Sequence, residues 1–138
     1  MAAKKSKTNQ IQSVGRRKTS IARAVLKSGS GVIRVNNHDF TDVVSNKVLE
    51  LKVIEPLILV DKLSSVDVSI SVKGGGVNSQ VDAMRQAIAR GLVEMFGEEL
   101  KKTFTEYDRS LIVTDTRFKE TKKPNNSHAR AKRQKSYR

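Results

Sequence analysis

The segment that most constrains the fold is VDVSISVKGGGVNSQVDAMRQAIARGLVEMF. Val66, Val68, Ile70 and Val72 alternate with Asp67, Ser69, Ser71 and Lys73, the period of a strand with one covered and one wet face. Three glycines end the strand, and Asn78 or Ser79 is placed to cap a helix. Val81, Met84, Ile88, Leu92 and Met95 then recur at three and four residues, an amphipathic helix stopped by Gly97, with Arg85 and Glu94 elsewhere on its circumference. A strand running straight into a helix that must cover an apolar face predicts a sheet with helices on one side.

The remaining elements fit that plan. Ile21, Arg23 and Val25 alternate with Ala22, Ala24 and Leu26, and VIRVN (32–36) resumes the pattern after KSGSG, so these two strands are expected to pair as a hairpin. Arg16, Arg17 and Lys18 would stand at the first strand's start. SNKVLELKVIEPLILVDKL is apolar at Val48, Leu49, Leu51, Val53 and Ile54, a buried helical face that Pro56 should interrupt or restart. EELKKTFTEYDRSLIV predicts a further, shorter helix. The order strand, strand, helix, strand, helix, helix gives a small α/β (α+β) sandwich spanning residues 11–112.

Charge divides the chain differently. Residues 1–27 carry +8, residues 28–100 carry −3 and residues 101–138 carry +8, out of a net +13. Residues 121–138 hold seven lysines and arginines and no acid, with only Ala129, Ala131 and Tyr137 to bury, so they cannot fold alone. The expected organisation is a basic extension (1–10), the domain, and an extended basic tail (113–138). Two basic ends on a near-neutral body are the footprint of a polyanion binder. No cysteine, two widely separated histidines and no apolar run of membrane length argue against metal, cofactor, disulfide and membrane roles.

Candidate sites are few. Lys73 with Gly74, Gly75 and Gly76 ahead of a helix could cradle a phosphate, or the glycines could merely turn the chain. His38 beside Asp39 is better read as surface than as an acid–base pair, and no serine sits in a G-x-S-x-G elbow. With four phenylalanines and two tyrosines there is no stacking platform, so phosphate and shape recognition are expected. Tyr137 could stack on a base or be a passive end. A nucleic-acid-packaging protein, binding DNA and RNA alike, and a basic RNA-processing enzyme are the alternatives by composition; the second lacks a carboxylate cluster or histidine pair.

GRRKTSIARAVL (15–26), PLILVD (56–61), VKGGGVNSQ (72–80) and the basic tail together resemble the bacterial ribosomal protein S nine family over nearly the whole chain. The resemblance implies a mixed sheet with helices on one face, similar to the second domain of ribosomal protein S five, and no enzymatic activity. It implies a cytoplasmic, ribosomal location in the head of the small subunit, bound to the 3′ major domain of its rRNA beside neighbouring head proteins. The tail would thread to the P-site tRNA anticodon stem-loop. By correspondence Arg16, Arg17, Lys18, Lys73 to Gly76, Arg117, Lys122, Lys123, Arg130, Lys132 and Arg133 would meet rRNA, and Lys135, Tyr137 and Arg138 would lie near tRNA. Departures are the ending Gln134-Lys135-Ser136-Tyr137-Arg138, where the family commonly has Gln-aromatic-Ser-Lys-Arg, Asn125 in place of a glycine, and Thr121 in place of a basic residue.

Overall fold

The computed structural model describes residues 10–44, 46–124 and 129–130. Five strands form one mixed sheet: β1 (Ile11–Arg17), β2 (Ser20–Ser28), β3 (Ile33–Val35), β4 (His38–Asp39) and β5 (Val66–Lys73), in the order β1-β2-β5-β3-β4. The β1/β2, β2/β5 and β3/β4 pairs are antiparallel and β3/β5 is parallel. Between β4 and β5 run α1 (Phe40–Val43) and α2 (Lys47–Leu59); α3 (Val77–Phe96), α4 (Glu99–Tyr107) and a 3-10 turn (Arg109–Leu111) complete the domain. This is the expected α/β class.

The expected hairpin between residues 21–26 and 32–36 does not form, because β5 lies between β2 and β3. The connecting loop is folded by the inserted strand instead. Asp67 Oδ1 accepts the backbone N–H groups of Ser30, Gly31 and Val32 at 2.8, 2.9 and 2.9 Å, and these bonds, led by that from Val32, hold its carboxyl below its usual range against partial desolvation. Burial of Val66, Val68, Ile70 and Val72 makes β5 a central strand of the sheet, whereas β3 offers only three residues to pair.

Two other elements differ from the expectation. A separate strand, β1, precedes the first expected one, so Arg16 and Arg17 end a strand rather than start one. Residues 47–59 form a continuous helix through Pro56. That proline stands one turn from the helix end and removes a single backbone donor, while Val53, Pro56 and Leu57 are buried together. Val48 and Leu51, read as part of the buried face, are exposed.

α3 lies across β1 and β2, and α2 packs on α3. The seam between α3 and β1 is built from small residues. A Cβ on Gly15 would stand 2.0 Å from the Ala83 carbonyl oxygen and 2.6 Å from the Ala87 nitrogen, and Ser13 Oγ donates to the Ala87 carbonyl at 2.6 Å. Apolar residues of β2, β5, α2, α3 and α4, including Leu26, Ile70, Leu57, Ile88 and Phe104, form one core.

Candidate nucleic-acid interface

The close α3/β1 seam brings the start of α3 to the end of β1 where the cations cluster. Arg16 and Arg17 are adjacent in a strand and so face opposite ways. Arg17 turns to the helix side, where its guanidinium meets Asp82 of α3 at 3.6 Å and pairs closely with Asp115. Lys52 of α2 holds the other oxygen of Asp82 at 2.6 Å. Arg16 turns the other way and stacks its guanidinium over the Phe118 ring, 5.1 Å from the centroid.

Lys18 forms the tip of the β1–β2 turn with φ +52°, a left-handed backbone uncommon outside glycine, asparagine and aspartate. That backbone holds the Lys18 side chain out on an exposed tip.

The glycine turn packs directly on this tip. Gly74 (φ +79°) and Gly75 (φ +67°) are required by the turn itself: added Cβ atoms would stand 2.6 Å from the Thr19 carbonyl oxygen and 2.1 Å from Ser20 Oγ. The Gly74 carbonyl accepts from Ser20 Oγ at 2.9 Å and Gln80 Nε2 at 3.1 Å. Gly76 has open space where a Cβ would be and is the N-cap residue of α3; its N–H donates to Ser79 Oγ at 3.1 Å. The turn therefore explains two of the three glycines, and the third borders the α3 N-terminus, whose first N–H groups lack helical partners. Lys73 is exposed beside it.

Three adjoining depressions unite these parts. One of about 380 Å³ is lined by Lys18, Thr19 and residues 75–79. A second, about 300 Å³, shares Lys18 and adds Arg17, Asp115, Arg117, Phe118 and Lys119. A third, about 350 Å³, shares Arg17, Asp115 and Arg117 and continues to Lys52, Asp82, Arg85 and Asp108. The surface thus runs from the α3 N-terminus over the β1–β2 turn to the root of the tail.

In and around it the cations differ in availability. Lys18, Lys73, Lys122 and Lys123 are exposed. Arg117 is bidentate to Asp115, Nε donating to Oδ1 at 3.0 Å and Nη2 to Oδ2 at 2.6 Å, but its side chain is 84% exposed, so water or a phosphate can still reach it. Arg130 pairs with Glu120, at 2.7 Å through Nε, on an equally open surface. Lys132, Arg133, Lys135, Tyr137 and Arg138 lie outside the described residues. His38 and Asp39 are exposed on β4, where Asp39 faces Arg34 at 3.9 Å.

The sequence reading missed Arg85, Gln86 and Arg90, three polar residues on α3. Arg85, 8% exposed, bonds Asp108 at 2.7 Å and stands 2.6 Å from Glu55. Desolvation alone would raise the Asp108 carboxyl, but the Ser110 N–H and hydroxyl and the Arg85 guanidinium outweigh it and hold it below its usual range. Gln86, 3% exposed, donates to the carbonyls of Ser110 (3.3 Å) and Val113 (2.8 Å) and accepts from the Arg16 N–H at 2.9 Å. A long polar residue inside an apolar helical repeat was the one available signal, and it reads equally as a solvated face.

Among the described residues, no group of three potential metal ligands occurs and no helix is long and apolar enough to cross a membrane. A family model described as ribosomal protein S9/S16 matches residues 15–138. The small ribosomal subunit protein uS9 of Thermoplasma volcanium is 49% identical over 130 residues, covering 93% of this chain and 98% of that protein. The corresponding protein of Methanococcus maripaludis is 48% identical over 132 residues with the same coverage, and uS9A of Saccharomyces cerevisiae is 46% identical over 138 residues, covering 93% and 96%. These relatives are archaeal and fungal, so the resemblance stands for the family as a whole and its bacterial form is not what they represent. A basic surface joined to a basic tail, on this fold and with these relatives, leads to one assignment: the chain belongs to the ribosomal protein S9/S16 family.

Proposed function

We propose that the chain is a structural, non-catalytic constituent of the small ribosomal subunit in the cytoplasm. It binds rRNA of the head through the surface running from the α3 N-terminus to the tail root, and its tail extends to the P-site tRNA. The carrying observation is the sharing of Lys18, Arg17 and Arg117 between adjoining depressions, which turns separate basic motifs into one continuous strip.

A phosphate backbone would lie along Lys73, Lys18, Arg16, Arg117, Lys122 and Lys123, releasing counterions as it binds. The first N–H groups of α3, opened by Gly76, suit a phosphate at one end of that path. Asp82 and Asp115 keep Arg17 fixed while the more open Arg16 and Lys18 meet the ligand. Arg130, Lys132 and Arg133 would continue the rRNA contact, with Lys135, Tyr137 and Arg138 nearest the tRNA. An extended chain of eighteen residues spans about 60 Å, so residues 121–138 can pass where a folded domain cannot. The exposed apolar side chains Val48, Leu51 and Ile58 of α2, which adjoin the strip at Lys52 and Arg85, supply the surface that a neighbouring head protein would cover.

The test is sedimentation of the tagged full-length chain from lysate after a high-salt wash, which removes loose electrostatic binders. Retention with small subunits is expected, and deletion of residues 132–138 should preserve it while weakening P-site tRNA binding. Release into free or DNA-bound fractions would favour a packaging protein and reject this reading.

A further inference from the structure

The tail does not simply begin where the last helix ends. Gln86 and Arg90 stand one turn apart on α3 and so share a face. Arg90 Nη1 donates to the Val14 carbonyl at 2.8 Å on the β1 edge. Its Nε and Nη2 donate to the Ile112 carbonyl at 3.0 and 2.8 Å, and Nη2 also reaches Thr114 Oγ1 at 2.7 Å. Gln86 repeats the arrangement one turn away, joining the Arg16 N–H to the carbonyls of Ser110 and Val113. Two side chains thus cover the free edge of β1 and lay residues 110–114 alongside it.

We infer that Arg90 and Gln86 are positioning residues that fix where, and in which direction, the basic tail leaves the domain. Four of Arg90's five N–H donors are spent inside the protein, so it is not a phosphate ligand despite its charge. Burial also draws its guanidinium below its ordinary value, as suits a group turned inward. Except for Thr114 its acceptors are backbone carbonyls, which place the chain whatever side chains lie beyond. Only a planar fork spans β1, Ile112 and Thr114 together; a lysine in its place would keep the charge and lose the geometry. Beyond the clamp, Asp115 on Arg17 and Phe118 under Arg16 continue the same path, so the tail root runs beside the cations of β1. The purpose of this aim rests on the tail's proposed route through rRNA, but the clamp itself is a property of the free protein.

The chain has no cysteine, so Ser28→Cys and Thr121→Cys give two unique spin-label sites on the full-length protein. Ser28 lies eight residues along β2 from Ser20, about 27 Å at the usual strand rise, at the far end of the sheet from the clamp. Pulsed electron spin resonance should show one narrow distance, and Arg90→Lys should broaden it at least twofold in a chain that still unfolds in one cooperative transition. Arg34→Lys, an exposed arginine on β3, should leave the width unchanged. Thr114→Val removes one clamp bond without touching α3; it should broaden the distribution by a smaller factor and decides the matter if Arg90→Lys does not fold. An equal width in parent and clamp variants, or a parent distribution already broad, overturns the inference. Because no ribosome is present, failure of the tail to reach tRNA would reject the proposed route and leave the distance result standing.

Discussion

The α3/β1 seam and the tail root are held by the same helix through different means. At the seam Gly15, Ala83 and Ala87 approach until a Cβ on Gly15 would not fit, and close backbone contact, pinned by the short Ser13 hydroxyl on the Ala87 carbonyl, does the holding. At the root, residues 110–114 are held off by the length of Gln86 and Arg90 and tied by directed hydrogen bonds. Close packing is indifferent to salt and tolerates no added atom, whereas side-chain-to-carbonyl bonds fix direction at a distance and tolerate changes in the chain they hold. The first suits a fold that must stay constant, the second an attachment that must point a highly charged segment somewhere definite.

Gly15→Val should break the comparison at its stronger side. With the Ala83 carbonyl oxygen only 2.0 Å from a new Cβ, α3 has to lift off β1. A loss of about 3 kcal/mol, the upper end for overpacked sites, should appear as a fall of about 12 °C or more in thermal midpoint. An unchanged midpoint would show that the seam is not tight.

Gln86→Leu tests the root. It keeps a similar volume but leaves the Arg16 N–H and two carbonyls without their partner, at a cost of about 2 kcal/mol. Hydrogen exchange should accelerate at residues 110–114 more than in β5. Uniform acceleration across both would mean that seam and root are one cooperative unit and dissolve the distinction.

The glycine turn sharpens the contrast on a single motif. Gly74→Ala should cost about 1–2 kcal/mol, since its left-handed backbone and the nearby Thr19 carbonyl both resist a Cβ. Gly76→Ala should stay within about 0.5 kcal/mol, because nothing lies within 4 Å of the added atom. Denaturant titration separates the two; equal losses would contradict the geometry at Gly76.

The smallest effect is expected at Asp67, which lies in neither region and serves as a control. Its carboxyl is held below its usual range in the folded chain, led by the Val32 N–H. Its contribution is therefore complete above the unfolded carboxyl range and is lost as pH falls below about 4, through the folded value. Asp67→Asn should lower stability at neutral pH and make the decline below about pH 4 shallower. A parallel pH profile in the variant would exclude the carboxylate as the cause.

Much of the architecture was legible in the residues alone. Strict alternation in β5, the three-and-four spacing of Val81, Met84, Ile88 and Leu92, and the acid-free ends are local patterns, and local physics reads them: a pleat turns every second side chain inward, and like charge without apolar surface cannot collapse. The candidate strip was legible in its parts, Arg16 to Lys18 and Lys73 to Gly76, because those residue types announce charge and backbone freedom. β1 escaped notice because its buried positions are Ser13 and Gly15, chosen for closeness to α3 and silent in a hydrophobic pattern. The insertion of β5 between β2 and β3, the turning of Arg17 onto Asp82 and Asp115, and the joining of β1 to the tail root by Gln86 and Arg90 all depend on partners 22 or more residues away in sequence. The amino-acid sequence determined the elements and the charge they carry; only the tertiary structure decided which cations stand free and where the tail departs, because a side chain's partner is set by how elements pack and not by its neighbours in the chain.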